Sequence, residues 1–230
     1  MLEAPKLAFQ SLTDSVYDLL REAIADGRLE PGSKVHVEEL ASQLGVSRTP
    51  VQDAFKLLAV EGLVDIRPRK GTYVKEYGVE DIAETLAIRR ALELLACETI
   101  VRRSGSLSDE IEKLRSQINA IASSIDEFDS PVALARAHAS RNVQFHTRIV
   151  KLSGNHRLLA VYGSLDVHLR IASAHLTVPS WEERIAVERT EHEMIVDALE
   201  ERDAARLLAV MDSHLKRSFD ALVGAAHAPR

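Results

Sequence analysis

Residues 37–64 read VEELASQLGVSRTPVQDAFKLLAVEGLV, a stretch with the pattern of two short helices joined by a tight turn at Gly45. In the second segment, apolar residues recur at the i, i+3, i+4, i+7 spacing of a helix face that packs inward: Val51, Ala54, Phe55 and Leu58. Such a pair is either an ordinary helical hairpin or the helix-turn-helix of a DNA-binding protein. The outward face of the second segment helps to distinguish these two interpretations.

That outward face carries Arg48, Gln52 and Lys56, one residue every four positions. A helix that is buried on one side, and polar and partly basic on the other, is typical of a helix that reads DNA bases. The pattern therefore favours a helix-turn-helix, and the residues that follow it strengthen this interpretation.

Two short alternating segments, at 63–66 and 72–74, predict a β-hairpin. The turn between them, residues 67–71, reads RPRKG and carries three basic side chains. A plain solvated hairpin would also fit this pattern. Beside a reading helix, however, a basic hairpin is expected to act as a wing that contacts phosphates or the minor groove.

The strings GVSRTPVQDAFKLLAVEGLV and KGTYV, at 45–64 and 70–74, resemble the winged-helix domain of GntR-family bacterial transcription regulators. The resemblance implies that five residues contact DNA: Arg48, Thr49, Gln52, Lys70 and Gly71. Lys56 joins this set because it lies on the same outward stripe. The chain has Gln52-Asp53 where the family has Arg-Glu, Glu38 where an Arg is frequent, and Lys70 in place of Arg. Gln prefers adenine where Arg favours guanine, so the operator sequence should differ.

The composition is that of a globular, helix-rich protein. The chain has 230 residues, 46% of them hydrophobic and only 4% aromatic. A net charge of −6 argues against indiscriminate nucleic-acid binding by the whole surface, but it leaves room for a local basic patch. A single cysteine, Cys97, and the lack of a membrane-span or signal-peptide pattern predict a cytoplasmic protein without disulfides.

The fold is expected to be mainly α, in two domains. Residues 10–76, after a loose arm over 1–10, form a winged helix-turn-helix of three helices and a small β-hairpin wing. Residues 79–224 form an all-α bundle of about six helices, because every pattern after Gly78 has helical spacing. Separate helices are predicted at 157–174, 180–188 and 190–201, with Ser180 capping the second of them.

Polar residues on inward-facing positions of the bundle form a second signal. Asn142 and His146 lie four residues apart on one helix, and His192 and His214 lie on two later helices. Three imidazoles and an amide that converge would suit a divalent metal such as zinc. For any single histidine the alternative is a hydrogen-bonded core residue, and His138, His168 and His175 are assigned to that class.

The strings NVQFHTRIVKLSGN, EHEMIVDALEERD and MDSHL, which begin at 142, 191 and 211, resemble the FCD ligand-binding domain. The resemblance implies a divalent metal, zinc with nickel or manganese as alternatives, bound by Asn142, His146, His192 and His214. The family has Asp where this chain has Asn142, so one ligand lacks its formal charge. In the motif R..LE the resemblance assigns Arg89 to a carboxylate effector; the alternative for Arg89 is a salt bridge to a neighbour such as Glu93.

Together these features predict a transcription regulator, a repressor that is not an enzyme. It would act as a homodimer on a palindromic double-stranded operator and respond to a small organic acid. Two alternatives stay open at this point. One is a constitutive, metal-free dimeric repressor; the other is a metal-dependent hydrolase with an accessory DNA domain. The hydrolase is disfavoured because Glu193, directly after His192, does not face the same side of its helix and could not serve as the base.

Overall fold

The computed structural model describes residues 11–123, 128, 130–174 and 181–226. The chain separates into two compact units, with the division between Glu76 and Tyr77. The predicted mainly α architecture is confirmed. The predicted N-terminal arm, the cap at Ser180 and His175 lie outside the described residues.

The first unit contains three helices and a small antiparallel sheet. Its elements are α1 (Leu12–Ala25), β1 (Lys34–Val35), α2 (Val37–Leu44), α3 (Arg48–Val60), β2 (Val64–Arg67) and β3 (Gly71–Val74). The strand order is β1-β3-β2, so the hairpin of β2 and β3 gains a third strand from the segment before α2. This arrangement is a winged helix.

Local sequence explains the turn between α2 and α3. Gly45 ends α2 in the left-handed conformation, with φ of 67°, which a residue with a Cβ adopts only at a cost. The inward face of α3 is completely buried at Val51, Ala54 and Leu58. The helix is therefore fixed by its apolar side, and its polar side is left to face outward.

The second unit is entirely helical in the part of it that the structure describes. Its elements are α4 (Val79–Val101), α5 (Ser108–Ala122), α6 (Pro131–Leu152), α7 (His156–Ser164), α8 (Asp166–Ala174), α9 (Trp181–Glu200) and α10 (Ala204–Ala226). The described residues of this unit form seven helices, where about six were predicted. The segment predicted as one helix over 157–174 is divided into α7 and α8 at Leu165.

The helices predicted at 180–188 and 190–201 are instead one continuous helix, α9. Thr190, which the sequence suggested as the start of a new helix, donates its hydroxyl to the carbonyl of Ala186 at 3.1 Å. A Thr hydroxyl that bonds one turn back lies inside a helix and does not cap one. The prediction of a break at this point was therefore wrong.

Helix α6 lies at the centre of the second unit and packs against α4, α5, α7 and α8. Its buried residues include the apolar Phe145 and Ile149, but also the polar His138, Asn142 and His146. Burying so many polar groups on one helix is costly unless each has a partner. Helix α6 is therefore the element expected to carry a functional site.

Among the described residues, no helix is long and apolar enough to cross a membrane.

Candidate functional site

The outward face of α3 presents four of the predicted DNA-contacting residues. Arg48, Thr49, Gln52 and Lys56 are all exposed. Arg48 lies 3.2 Å from a carboxylate oxygen of Glu38 on α2, and Lys56 lies 2.7 Å from one of Asp53. Exposed ion pairs of this kind contribute at most about 1 kcal/mol, so both cations can exchange these carboxylates for phosphates.

The tip of the wing places Lys70 in solvent, beside Arg69 in a left-handed conformation with φ of 62°. Gly71 has φ of 113°, and a Cβ there would come within 2.8 Å of the Lys34 side chain. Gly71 is thus needed by the backbone and by the close approach of Lys34. Lys34 is a further basic residue of the wing, which the sequence analysis missed because only the pairing of β1 with β3 brings it there.

Three histidines from three helices meet in the interior of the second unit. His146 of α6, His192 of α9 and His214 of α10 are each at most 1% exposed. Their nearest ring nitrogens all lie within 4.8 Å of one another. The structure therefore brings together the three histidines that the sequence singled out, and it does so at a spacing suited to one metal ion.

Two of these rings are oriented by carboxylates. His146 Nδ1 lies 2.7 Å from Glu93 Oε2, and His214 Nδ1 lies 2.7 Å from Glu191 Oε2. Burial lowers the pKa of His146 to about 4, although the charge of Glu93 opposes this, so the ring is neutral and its proton lies on Nδ1. A carboxylate behind each histidine is the arrangement that orients imidazoles toward a metal.

Because Nδ1 of each ring faces a carboxylate, the Nε2 atoms of the two rings are left to face each other. His146 Nε2 and His214 Nε2 face each other at 3.2 Å. If both rings carry their protons on Nδ1, two lone pairs oppose each other at that distance. Either a cation or one additional proton must lie between them.

Asn142 and His192 contribute buried polar atoms that have no hydrogen-bond partner. Asn142 lies one turn before His146 on α6, and its buried amide oxygen accepts no hydrogen bond. Both nitrogens of His192 are also buried without a partner, and burial holds the pKa of this ring well below its ordinary value. Leaving a buried polar atom without a partner costs about 1–3 kcal/mol. Neutral imidazoles and an amide oxygen are suitable ligands for a borderline divalent cation, so the residues present fit a metal.

Arg89 of α4 is completely buried next to this cluster. Its Nε donates to Glu93 Oε1 at 2.7 Å, the same oxygen that accepts the Tyr162 hydroxyl at 2.7 Å. The salt bridge considered from the sequence is therefore present. One guanidinium nitrogen, Nη2, still has no partner and is available to an anion.

Glu93 joins these groups into one network. Burial would raise the pKa of its carboxyl, but His146 and Arg89 more than offset this and hold that pKa below its ordinary value. The sequence pattern indicated Glu93 only as a possible partner of Arg89, and it did not indicate Tyr162 or Glu191 as site residues. A local signal existed for Glu93 in its i, i+4 spacing from Arg89, but none existed for Tyr162.

The winged helix and the helical unit that follows it define a class of DNA-binding proteins. Residues 12–74 match the model of bacterial regulatory proteins of the gntR family, and residues 84–217 match the FCD domain. The chain belongs to the GntR family of bacterial transcription regulators and carries an FCD domain.

Relatives named as transcription regulators agree with this assignment. Over 202 residues, 86% of this chain and 83% of the relative, the chain is 30% identical to the probable D-xylose utilization operon transcriptional repressor of Paenarthrobacter nicotinovorans. Over 193 residues, 84% of this chain and 86% of the relative, it is 26% identical to the Nta operon transcriptional regulator of Aminobacter aminovorans. The chain is accordingly a transcription regulator and not an enzyme, and the hydrolase alternative is rejected.

Solved structures share the fold. The crystal structure of a GntR regulator from Rhodococcus sp. RHA1 matches with a TM-score of 0.77 at 22% identity, covering 96% of this chain and all of the other. The E. coli protein McbR/YncC matches with a TM-score of 0.76 at 21% identity, covering 93% of this chain and 98% of the other. At such identities the likeness concerns the fold alone.

Proposed function

We propose that this protein is a repressor whose affinity for its operator is set by a small carboxylate, bound together with a divalent metal in the second unit. The observation that carries the proposal is the pair of opposed Nε2 atoms of His146 and His214, held at 3.2 Å by carboxylates behind each ring. A cation between them relieves the repulsion of the two lone pairs.

The metal would be held by His146, His192, His214 and the amide oxygen of Asn142. Zinc suits this neutral set, with nickel and manganese as alternatives. When bound, the metal would supply an electrophilic position for one oxygen of the effector. Arg89 would bind that carboxylate through its unpartnered Nη2, while Glu93 keeps the guanidinium in place.

On the DNA side, α3 would lie in the major groove and the wing would contact the backbone. Arg48, Thr49 and Gln52 at the start of α3 would approach base edges, with Gln52 suited to adenine. Lys56, Lys70 and Gly71 would lie close to phosphates, and only the two lysines would supply charge. A homodimer would place two such units on a palindromic operator.

The effector can change operator affinity only if it binds one arrangement of the DNA-binding units better than another. α4 supports such a role, because it begins at the end of the first unit and carries both Arg89 and Glu93. We therefore propose α4 as the element whose position depends on the effector.

A second candidate is a metal-free dimeric repressor that binds its operator constitutively. The same 3.2 Å contact favours it if a single proton joins the two Nε2 atoms as a hydrogen bond. The uncharged Asn142 points the same way, because an amide attracts a cation less strongly than a carboxylate does.

Metal titration of chelator-treated protein distinguishes the two candidates. Wild-type protein should bind one zinc ion per chain in isothermal titration calorimetry, and its melting temperature should rise further with small carboxylates. His146→Ala should lose both effects. The matched control is His156→Ala, which removes an exposed histidine at the start of α7. Wild-type protein that binds no zinc, nickel or manganese would support the metal-free repressor.

A further inference from the structure

The buried polar atoms that lack a hydrogen-bond partner are concentrated in one place. Within the described ranges, every such side-chain atom belongs to a residue of α4, α6 or α9: Arg89, His138, Asn142, Arg184, Glu188 and His192. Native proteins leave few such atoms without a partner, and each points to a bound ion, ligand or water. The set extends beyond the histidine cluster, since His138, Arg184 and Glu188 do not belong to it.

These three residues form a second polar group next to the cluster. His138 and Asn142 precede His146 by two turns and one turn of α6, and Arg184 and Glu188 stand in the same relation to His192 on α9. Eight residues of helix span about 12 Å, so the second group starts one to two turns from the first along both helices. The two groups are thus arranged as neighbouring parts of one buried site.

Within the second group, Glu188 is the central charge. Its Oε2 lies 2.7 Å from His138 Nε2, and its other oxygen is paired with Arg184 at ion-pair distance, though neither contact has full hydrogen-bond geometry. Despite burial, the neighbouring His138 and Arg184 hold the pKa of Glu188 well below its ordinary value, so it is ionised.

Two nitrogens of this group remain without a hydrogen-bond partner. His138 Nδ1 and Arg184 Nε are both buried and unpartnered, and the side chains are only 4% and 10% exposed. The edge of Trp181 packs against the His138 ring, with 5.4 Å between ring centroids, which gives this end of the site an apolar wall. A guanidinium nitrogen and an imidazole nitrogen beside an apolar surface are suited to a carboxylate.

We infer that Arg184 and His138 form a second carboxylate subsite, and that the effector is a short dicarboxylate bound between this subsite and the histidine cluster. The inference rests on the proposed function, because it assigns the first carboxylate to Arg89 and the histidine cluster. The second carboxylate accepts hydrogen bonds from Arg184 Nε and His138 Nδ1.

Arg184 and Glu188 cancel each other in charge, so the subsite carries no net negative charge that would repel a second carboxylate. His138 directs Nε2 toward Glu188, and a carboxylate at Nδ1 requires a proton on that nitrogen. A monocarboxylate leaves both donors to water, and this loss is the basis of selectivity.

Calorimetry of zinc-loaded protein with glutarate and pentanoate tests the inference, because these acids differ only by the second carboxylate. Succinate with butyrate and adipate with hexanoate extend the comparison to other lengths. At the best length, wild-type protein should bind the diacid roughly tenfold or more tightly than its monoacid, as expected for hydrogen bonds from charged donors.

Arg184→Gln should bind the diacid no better than the monoacid, with monoacid affinity and zinc content unchanged. Since this change leaves Glu188 buried without its cation, the double variant Arg184→Gln/Glu188→Gln, which removes both charges, serves as the folded second test. Arg189→Gln is the matched control: Arg189 lies on the same helix in an exposed pair with Glu193, and its loss should leave the preference intact.

Equal affinity of wild-type protein for the diacids and their monoacids would overturn the second subsite while leaving the proposed function standing. A diacid preference that persists in the folded double variant would likewise overturn it. Binding of none of these acids to the zinc-loaded protein would instead contradict the proposed function itself.

Discussion

The two units of this protein use the same chemical pairing, an arginine beside a glutamate, in opposite settings. In the first unit, Arg48 and Glu38 lie 3.2 Å apart with about two thirds of each side chain exposed. In the second unit, Arg89 and Glu93 lie 2.7 Å apart and are almost completely buried. The exposed pair can open at little cost, whereas breaking the buried pair leaves a charge without solvent. The first setting suits exchange of partners with DNA, and the second would hold the proposed binding site in a fixed geometry.

Removing the glutamate from each pair tests this contrast most strongly. Glu93→Ala should destabilise the second unit by about 3–5 kcal/mol, because Arg89 loses its counter-charge and both His146 and Tyr162 lose their acceptor. Glu38→Ala should change stability by less than about 1 kcal/mol. Urea denaturation followed by circular dichroism measures both. Similar effects for the two variants would remove the distinction between the pairs.

The arginines of the two pairs should differ in function as well. Arg48→Ala should abolish specific operator binding, with a loss of about 1–3 kcal/mol for each base contact, and leave the fold intact. Fluorescence anisotropy with an operator found by in vitro selection provides the measurement. Arg28→Ala is the control, since Arg28 is also exposed and paired, with Asp26 at 3.5 Å, but lies outside α3. Unchanged affinity in Arg48→Ala would remove α3 from its reading role.

A smaller effect is expected from restoring a charge within the buried site. Asn142→Asp should tighten zinc binding on the order of tenfold, because it adds a charged oxygen ligand to a set of neutral ones. Competition titration against a chelator of known affinity measures the change. If zinc affinity stays the same, Asn142 does not ligate the metal.

The smallest predicted effect concerns the wing. Lys70→Ala should weaken binding to operator and unrelated duplexes alike, and the slope of log affinity against log salt should fall in magnitude by about one. Affinity measurements at several salt concentrations give the slope. A loss restricted to the operator would show that Lys70 contacts a base and not the backbone.

The first unit could be predicted from the sequence far better than the buried polar groups of the second unit. The inward face of α3, the turn at Gly45 and the basic hairpin are local patterns, and each has the expected structure. The three histidines could be selected because each lies beside apolar residues of an inward face. Their meeting point, however, required contacts between helices that are far apart in the sequence.

The residues that the sequence analysis missed are joined by such long-range contacts. Glu188 and Glu191 have no local feature that separates them from the exposed Glu193 on the same helix. The burial of Glu188 depends on the packing of α9 against other helices, as its contact with His138 of α6 illustrates. Glu191 is half-buried, and its contact with His214 of α10 likewise depends on helix packing. His138 was assigned to the class of hydrogen-bonded core histidines. Its Nε2 does lie beside Glu188, but its Nδ1 has no hydrogen-bond partner.

We propose that a ligand in the buried site controls the exposed surface that is expected to bind DNA. The most direct test is the affinity of zinc-loaded wild-type protein for its operator, measured by anisotropy with and without a saturating short dicarboxylate. We expect a change of at least about fivefold, typical of allosteric coupling, that is lost in His146→Ala. Identical affinities with and without each member of the acid panel, in protein shown by calorimetry to bind that acid, would contradict it.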